Sequence, residues 1–272
     1  MLNHPAIDPI AISLGPLQIH WYGISYLLAF ATAWYLARRN ARRPWSPLGE
    51  NQVEDLIVYG AWGVIAGGRL GYMFFYNTDK WLADPAMLLR IWEGGMSFHG
   101  GLIGVAIAIF IYARKHRVSF LTLTDFAVPL VPTGLFFGRM GNFIGQELYG
   151  RPTDVPWGML FPSDPTQLPR HPSQLYEALL EGLVLFLIIS WFARKPRLAG
   201  EITGLFLVLY GCFRFMVEFV REPDAQFAGQ TAMIESLNWM TRGQALCIPM
   251  VLLGLWFMRK TMQRLMAKSA TN

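Results

Sequence analysis

The residues Gly94-Gly95-Met96-Ser97-Phe98-His99-Gly100-Gly101-Leu102-Ile103-Gly104-Val105-Ala106-Ile107-Ala108-Ile109-Phe110-Ile111-Tyr112-Ala113 form a run of 20 without Asp, Glu, Lys or Arg, and Arg114-Lys115 close it. A helix rises about 1.5 Å per residue, so this run spans ~30 Å, the thickness of a bilayer's hydrocarbon core. Six further apolar runs occupy residues 17–37, 53–76, 119–138, 175–193, 201–220 and 243–258. The pattern predicts an all-α, polytopic integral membrane protein with seven transmembrane helices, residues 1–272 forming a single transmembrane domain. Composition agrees. Of the 272 residues 53% are hydrophobic and 15% charged, against about 25% charged in soluble domains.

The net charge of +5 would suit a nucleic-acid binder, but its placement follows topology instead. Arg38, Arg39, Arg42 and Arg43 follow the first run, and Arg114, Lys115 and Arg117 the third. Arg194, Lys195 and Arg197 follow the fifth, and Arg259, Lys260, Arg264 and Lys268 the seventh. These 14 share one side, while Lys80, Arg90, Arg139, Arg151, Arg170, Arg221 and Arg242 lie on the other in longer loops. The positive-inside bias makes the first side cytoplasmic. The N-terminus is then outside and the C-terminus in the cytoplasm. The outside also holds a Pro- and Gly-rich loop region, residues 139–174, of a length that usually carries function. Residues 1–16 lack Lys and Arg, so the basic start of a cleavable signal peptide is missing and the first run is expected to stay as an anchor.

Gly63, Gly67 and Gly71 recur every four residues in the second run, a smooth stripe that lets a neighbouring helix come close. Pro129 and Pro132 predict an irregular stretch in the fourth. Cys212 and Cys247 lie in apolar runs as packing residues, without the spacing of a disulfide or metal site.

Ionisable groups inside spans are costly and point to function. With the orientation above, Tyr22, His99, Arg139 and Arg214 come from four different spans yet lie within roughly 10 Å of the outer boundary of the hydrocarbon. Tyr210, Arg214, Glu218 and Arg221 share one helix face, where Glu218 can pair with Arg214. Each residue also has a plain structural reading. Arg139 can snorkel to the headgroups, Arg214 can serve a structural pair, His99 can bond a carbonyl, and Tyr22 fits an aromatic belt. Arg69 reads as structural, and His171, before a proline at a span's start, as a helix cap. His4, His20 and His116 receive no role. The shared depth favours a site. Two guanidiniums in the outer headgroup layer suit a phosphate, and the phosphates available there belong to phospholipids. A neutral His can act as base. The residues alone therefore indicate an outward-facing phospholipid-handling enzyme or binder.

The segment Gly138-Arg139-Met140-Gly141-Asn142-Phe143-Ile144-Gly145-Gln146-Glu147-Leu148-Tyr149-Gly150 resembles the signature of the prolipoprotein diacylglyceryl transferases, Gly-Arg-x-Gly-Asn-Phe, an apolar residue, Asn, x, Glu, two variable residues and Gly. Ile19-His20-Trp21-Tyr22-Gly23, Ser97-Phe98-His99-Gly100-Gly101, Arg170-His171-Pro172-Ser173-Gln174-Leu175-Tyr176-Glu177, and Arg214-Phe215 with Glu218-Phe219 and Arg221 resemble the same family. The likeness spans nearly the whole chain, and Gly145 departs from it where the family has Asn.

The resemblance implies a bacterial inner-membrane enzyme whose active site faces the outer leaflet. It would move the diacylglyceryl group of phosphatidylglycerol onto the lipobox cysteine of a prolipoprotein signal peptide, leaving a thioether and glycerol phosphate. It implies no metal, nucleotide or other cofactor and no nucleic-acid partner. His99 is then expected to take or direct the thiol proton, and Arg139 and Arg214 to stabilise charge on the leaving phosphate. Asn142 and Glu147, in the outer loop, are expected to meet phosphate or glycerol oxygens, with Glu147 also able to orient an arginine. Gly150 is expected to permit a tight turn, and Tyr22 and Tyr210 to offer hydroxyls to the headgroup. The rival readings are a phospholipid transporter or flippase, which internal repeats would favour, and a non-catalytic lipid-binding scaffold.

Overall fold

In a computed structural model the described residues are 1–5, 7–15, 17–91, 94–222 and 240–269. The chain is mostly helical and divides into two compact units, Met1–Leu36 with Ala127–Asn272, and Ala37–Phe126. Helix α1 spans Trp21–Ala41, α2 Glu50–Tyr76, α3 Thr78–Ala83, α4 Phe98–Lys115, α5 Phe120–Ala127 and α6 Val131–Ile144. After the outer loop come α7 (Ser173–Glu177), α8 (Leu185–Phe192), α9 (Glu201–Val217) and α10 (Arg242–Ser269). Three continuous stretches among the described residues are long and apolar enough to cross a membrane: Phe98–Lys115, Phe120–Ile144 and Ser173–Phe192.

The chain is mostly helical, as expected, and among the described residues it adds four short strands: β1 (Leu2–Asn3), β2 (Ile10–Leu14), β3 (Leu17–His20) and β4 (Met159–Leu160). β2 and β3 form an antiparallel hairpin, and β1 pairs in parallel with β4. Runs this short show no alternation to read, and the β1–β4 partners lie too far apart in sequence for a local signal. The first apolar run therefore splits. Leu17–His20 are strand, and the helix starts only at Trp21.

The Ala37–Phe126 unit is built on α2 against α4. A Cβ on Gly63 would lie 2.7 Å from the Gly104 carbonyl oxygen, and one on Gly71 2.8 Å from the Gly100 Cα. The stripe thus brings two backbones together, as small residues do where lipid supplies no hydrophobic drive. Arg69, 2% exposed, is structural as expected. It donates to the carbonyls of Leu88, Arg90 and Gly95 at 3.2, 2.8 and 3.2 Å, and to those of Met87 and Gly94. Ser97 caps α4 by accepting from the Gly100 amide at 3.2 Å.

Helix α5, which ends the Ala37–Phe126 unit, continues through a 3₁₀ turn, Val128–Leu130, around Pro129 into α6. Proline lacks the N–H that a helix needs and clashes with the preceding turn, so the irregular stretch falls where expected. Asn142 corrects the sequence reading, because α6 continues to Ile144 and carries it on the helix, not in the loop. Polar Arg139 and Asn142 lower the local hydropathy without breaking the backbone. The helix ends where Gln146 and Leu148 take left-handed φ values of 55° and 57°. Beyond it the loop packs a small core of Phe143, Met159 and Phe161. His171 does not cap α7. Pro172 stands at that position, and the His171 ring faces the Tyr176 hydroxyl at 3.3 Å.

Candidate active site

Arg139 on α6 and Arg214 on α9 meet on one atom. Glu177, at the end of α7 and fully buried, forms an ion pair with Arg139 Nη2 at 2.7 Å and accepts a hydrogen bond from Arg214 Nη1 at 3.0 Å, both at Oε2. Its Oε1 lies 3.9 Å from Arg221 Nε. Arg214 Nη2 bonds Glu218 Oε2 at 2.9 Å, the pair expected from their spacing. Glu218 in turn accepts from the Thr241 hydroxyl at 3.0 Å. Gly243 leaves it room, since a Cβ there would sit 2.6 Å from Glu218 Oε1.

The network continues towards the loop. Arg139 Nη1 donates to Asn142 Oδ1, and Asn142 Nδ2 to Glu147 Oε2, each at 3.4 Å. Both bonds are long and therefore weak, which leaves the Asn142 amide free to turn to a ligand. The Glu147 carbonyl is held by Gln174 Nε2 at 2.7 Å, and the Glu147 side chain is exposed. Gly150 lies where neighbouring groups come close. A Cβ there would meet the His171 Cβ at 2.8 Å and the Val220 carbonyl closer still. The Gly150 amide donates to the His171 carbonyl at 2.8 Å, and that of Arg151 to Val220 at 2.9 Å. These bonds clamp the loop to the end of α9.

Tyr22 stands at the start of α1, its hydroxyl 3.2 Å from that of Tyr26. It packs beside Gly141, whose Cβ would approach Tyr22 Cδ2 to 3.1 Å. Tyr210 is half-buried and stacked on Phe206. His99 belongs to the other unit. It is the second residue of α4, exposed, and its ring meets Phe98 with centroids 5.7 Å apart. It makes no hydrogen bond among the described residues, so both ring nitrogens are open to a substrate.

Outside the spans the loop has its own charge pair. Arg170 Nε bonds Asp164 Oδ2 at 2.7 Å and lies over the Tyr149 ring. Burial would raise the Asp164 carboxyl, but Arg170 together with the hydroxyl and amide of Thr166 outweighs it and holds the group below the ordinary 3.8. Burial lowers the His171 imidazole below its ordinary value.

Sequence reasoning passed over Glu177 and Glu181. Both stand inside the apolar run 175–193, and ionisable groups in spans are the very signal used for the arginines. Matching depth among His99, Tyr22, Arg139 and Arg214 hid the carboxylate that joins two of them. Chemically, the cluster holds two guanidiniums at fixed spacing, each with N–H donors left over. Such an array can bind a tetrahedral anion and stabilise charge growing on it.

The family model described as prolipoprotein diacylglyceryl transferase matches residues 9–260. The phosphatidylglycerol–prolipoprotein diacylglyceryl transferase of Methylococcus capsulatus is 56% identical over 258 residues, 94% of this chain and 95% of that protein. The proteins of that name from Acinetobacter baylyi and Pseudomonas fluorescens are 52% and 50% identical, covering 97% and 99% of this chain and 96% and 99% of their own.

Proposed function

The chain belongs to the prolipoprotein diacylglyceryl transferase family, and from that membership we propose that it moves the diacylglyceryl group of phosphatidylglycerol onto the lipobox cysteine of prolipoproteins. The observation that carries this reading is the meeting of Arg139 and Arg214 on Glu177. A carboxylate that bridges two guanidiniums fixes their separation, and rigid donors stabilise developing charge without reorganising.

The cysteine sulfur attacks the glycerol carbon that carries the phosphate ester. The C–S bond forms as the C–O bond breaks, and its electron pair leaves on the phosphate oxygen. The thiol proton passes to His99, because the thiolate is the nucleophile. Arg139 and Arg214 take the growing charge on the leaving glycerol phosphate. Asn142 presents its amide to phosphate or glycerol oxygens, and Glu147 holds Asn142 or accepts from the glycerol hydroxyls. Tyr22 and Tyr210 bound the headgroup space, and Gly150 sets the turn behind it.

Residues 1–272 act as a single transmembrane domain with seven crossings in the bacterial inner membrane. The N-terminus is outside and the C-terminus cytoplasmic, as the split of 14 basic residues against 7 supports. The loop region 139–174 and the site then face the outer leaflet, where a signal peptide presents its cysteine.

Incubating the purified protein with phosphatidylglycerol and a lipobox peptide tests the reaction. A diacylglyceryl mass gain on the peptide cysteine is expected. Lipid binding without that gain, or lipid translocation alone, would replace the enzyme with a scaffold or a flippase.

A further inference from the structure

Helix α7 carries two buried side chains that hold the site, and the transfer mechanism uses only one of them. Glu177 pairs with Arg139 and Arg214. Gln174 stands three residues earlier, a spacing that puts it on the same helix face, and it is fully buried. Its Nε2 donates to the Glu147 carbonyl at 2.7 Å. That bond fixes the orientation of the amide, because a flip would set oxygen against oxygen. The amide Oε1 has no hydrogen-bond partner among the described residues. An apolar side chain would fill the same space at less cost in desolvation, so the bond to Glu147 is what an amide adds here.

The Glu147 backbone needs such a hold. Gln146 and Leu148, on either side of it, take left-handed φ values of 55° and 57°. That conformation is unfavourable for a residue with a Cβ and persists only where the surroundings fix it. Here they do. The Glu147 amide donates to the Asn142 carbonyl at 2.9 Å, Gln174 takes the Glu147 carbonyl, and the Ser173 hydroxyl donates to the Leu148 carbonyl at 3.0 Å. Two adjacent residues of α7 therefore clamp two adjacent carbonyls of the turn.

These contacts close a ring. It runs from Gln174 to Glu147, then from Glu147 Oε2 to Asn142 Nδ2 and from Asn142 Oδ1 to Arg139 Nη1, the last two bonds at 3.4 Å each. From Arg139 Nη2 it returns to Glu177 Oε2 at 2.7 Å, less than one helical turn from Gln174. One stretch of α7 thus sets both where the Arg139 guanidinium stands and where the Glu147 carboxylate stands relative to it. The long bonds at Asn142 are weak, so the Gln174 end of the ring does most to hold the carboxylate in place.

We propose that Gln174 is a positioning residue that, through the backbone of Glu147, holds the Glu147 carboxylate at a fixed distance from Arg139, so that the two side chains read a phosphate and the hydroxyls of its alcohol as one ligand. The ligand class is a phosphodiester whose alcohol bears free hydroxyls. A guanidinium takes the phosphate, and a carboxylate accepts from the hydroxyls. This role rests on the reading that phosphatidylglycerol binds here, and deepens it: the headgroup is selected by a spacing that Gln174 maintains without touching the substrate.

Initial rates of the full-length protein in detergent micelles decide it, with lipobox peptide saturating and phosphatidylglycerol varied. Gln174→Met keeps the length and apolar bulk of the side chain but has no donor. It should raise the KM for phosphatidylglycerol by about tenfold, the consequence of a buried carbonyl left unpaired, while kcat falls by less than about threefold. Misfolding would instead remove active molecules and lower kcat at an unchanged KM. Glu147→Ala should raise KM at least as much, and adding Gln174→Met to it should raise KM no further, because residues that act through one another are not additive. Ser173→Ala, a milder change that stands in if Gln174→Met does not fold, should raise KM by about threefold, again only while Glu147 is present. Phosphatidylpropanol has the same phosphate and no headgroup hydroxyl. The wild type should use it poorly, and Gln174→Met should discriminate against it less. An unchanged KM in both Gln174→Met and Ser173→Ala, or equal effects with and without the Glu147 carboxylate, would overturn the proposal. No peptide transfer by the wild type, with the same coupling seen in phosphatidylglycerol affinity, would instead remove the transferase reading and leave Gln174 as a positioning residue for lipid binding.

Discussion

Helices α2 and α4 meet through glycine, whereas α6, α7 and α9 meet through buried charge. At the first seam Gly63, Gly67 and Gly71 face Gly100 and Gly104 with no room for a methyl group. At the second, Glu177 draws Arg139 and Arg214 onto one oxygen. Close backbone contact is an inexpensive way to join helices in lipid. Buried ions are not, because desolvation consumes most of the Coulomb gain. A protein able to pack by glycine therefore does not need three guanidiniums to hold helices together. Under the proposed function the charged seam is a binding surface that also packs.

The strongest way to break this contrast is to alter the charged seam. Arg139→Lys and Arg214→Lys each keep a positive charge but lose the planar fork. Each should lower single-turnover transfer by ~10²–10³-fold, the usual cost of removing a donor to developing charge, while the protein still inserts and purifies. Glu177→Gln should lower turnover similarly and also lower stability by about 3 kcal/mol, since it removes the charge that Arg139 and Arg214 share. Near wild-type turnover in either lysine variant would refute the phosphate role. Lipid binding separates His99 from these residues. His99→Ala should impair transfer more than phosphatidylglycerol binding.

The two seams also differ in how far they could be read from sequence. The glycine stripe is a local, periodic pattern, and its contact with α4 follows from it. Pro129 marks its irregular turn for the same reason, and so does the spacing of Arg214 with Glu218. The Arg139–Glu177–Arg214 contact joins three separate elements, and no local period encodes such a meeting. Only the chemistry of isolated charges in apolar runs hints at it. Asn142 shows a second limit: hydropathy marked the end of a greasy run at residue 138, while the backbone went on to Ile144. The strands were invisible because they are brief and, for β1 with β4, paired across more than half of the chain.

A smaller effect is expected at the glycine seam. Leucine at Gly67 would press on the backbone of Gly100 and Gly104, and overpacking costs about 1–3 kcal/mol. Gly60, on the same helix, has open space around it, with no atom within 4 Å of where a Cβ would stand. Gly60→Leu should therefore change stability by less than about 0.5 kcal/mol. Thermal unfolding in detergent compares the two. Equal melting points would mean that the stripe does not govern the α2–α4 contact.

The loop charge pair adds a pH-dependent test. Asp164 titrates below the ordinary 3.8 when folded. Its contribution to stability is therefore present above that value and is lost as pH falls through the lower folded one. Limited proteolysis should find the loop 145–172 protected at neutral pH and cut faster near pH 3. Asp164→Asn should be cut faster already at neutral pH and show little further change in acid. An unchanged cleavage rate in that variant would mean that other bonds hold the loop.

The smallest effect belongs to Gly145, which stands where the family signature has Asn. Its backbone is helical, with φ −72° and ψ −3°, so no left-handed conformation demands glycine. A Cβ would lie 3.3 Å from the Gly141 carbonyl and 3.7 Å from the Glu147 side chain, and Glu147 is exposed and can move aside. The neighbouring Gln146 already secures this corner, accepting from the Ser163 amide at 3.0 Å and, through its carbonyl, from the Ser163 hydroxyl at 2.9 Å. Gly145→Asn should therefore shift stability by no more than about 0.5 kcal/mol and change transfer by roughly twofold or less. A large gain in turnover would reveal that a carboxamide here contacts substrate and that this chain works without it. A large loss would instead place the Glu147 side chain, displaced by the new residue, in direct control of the reaction.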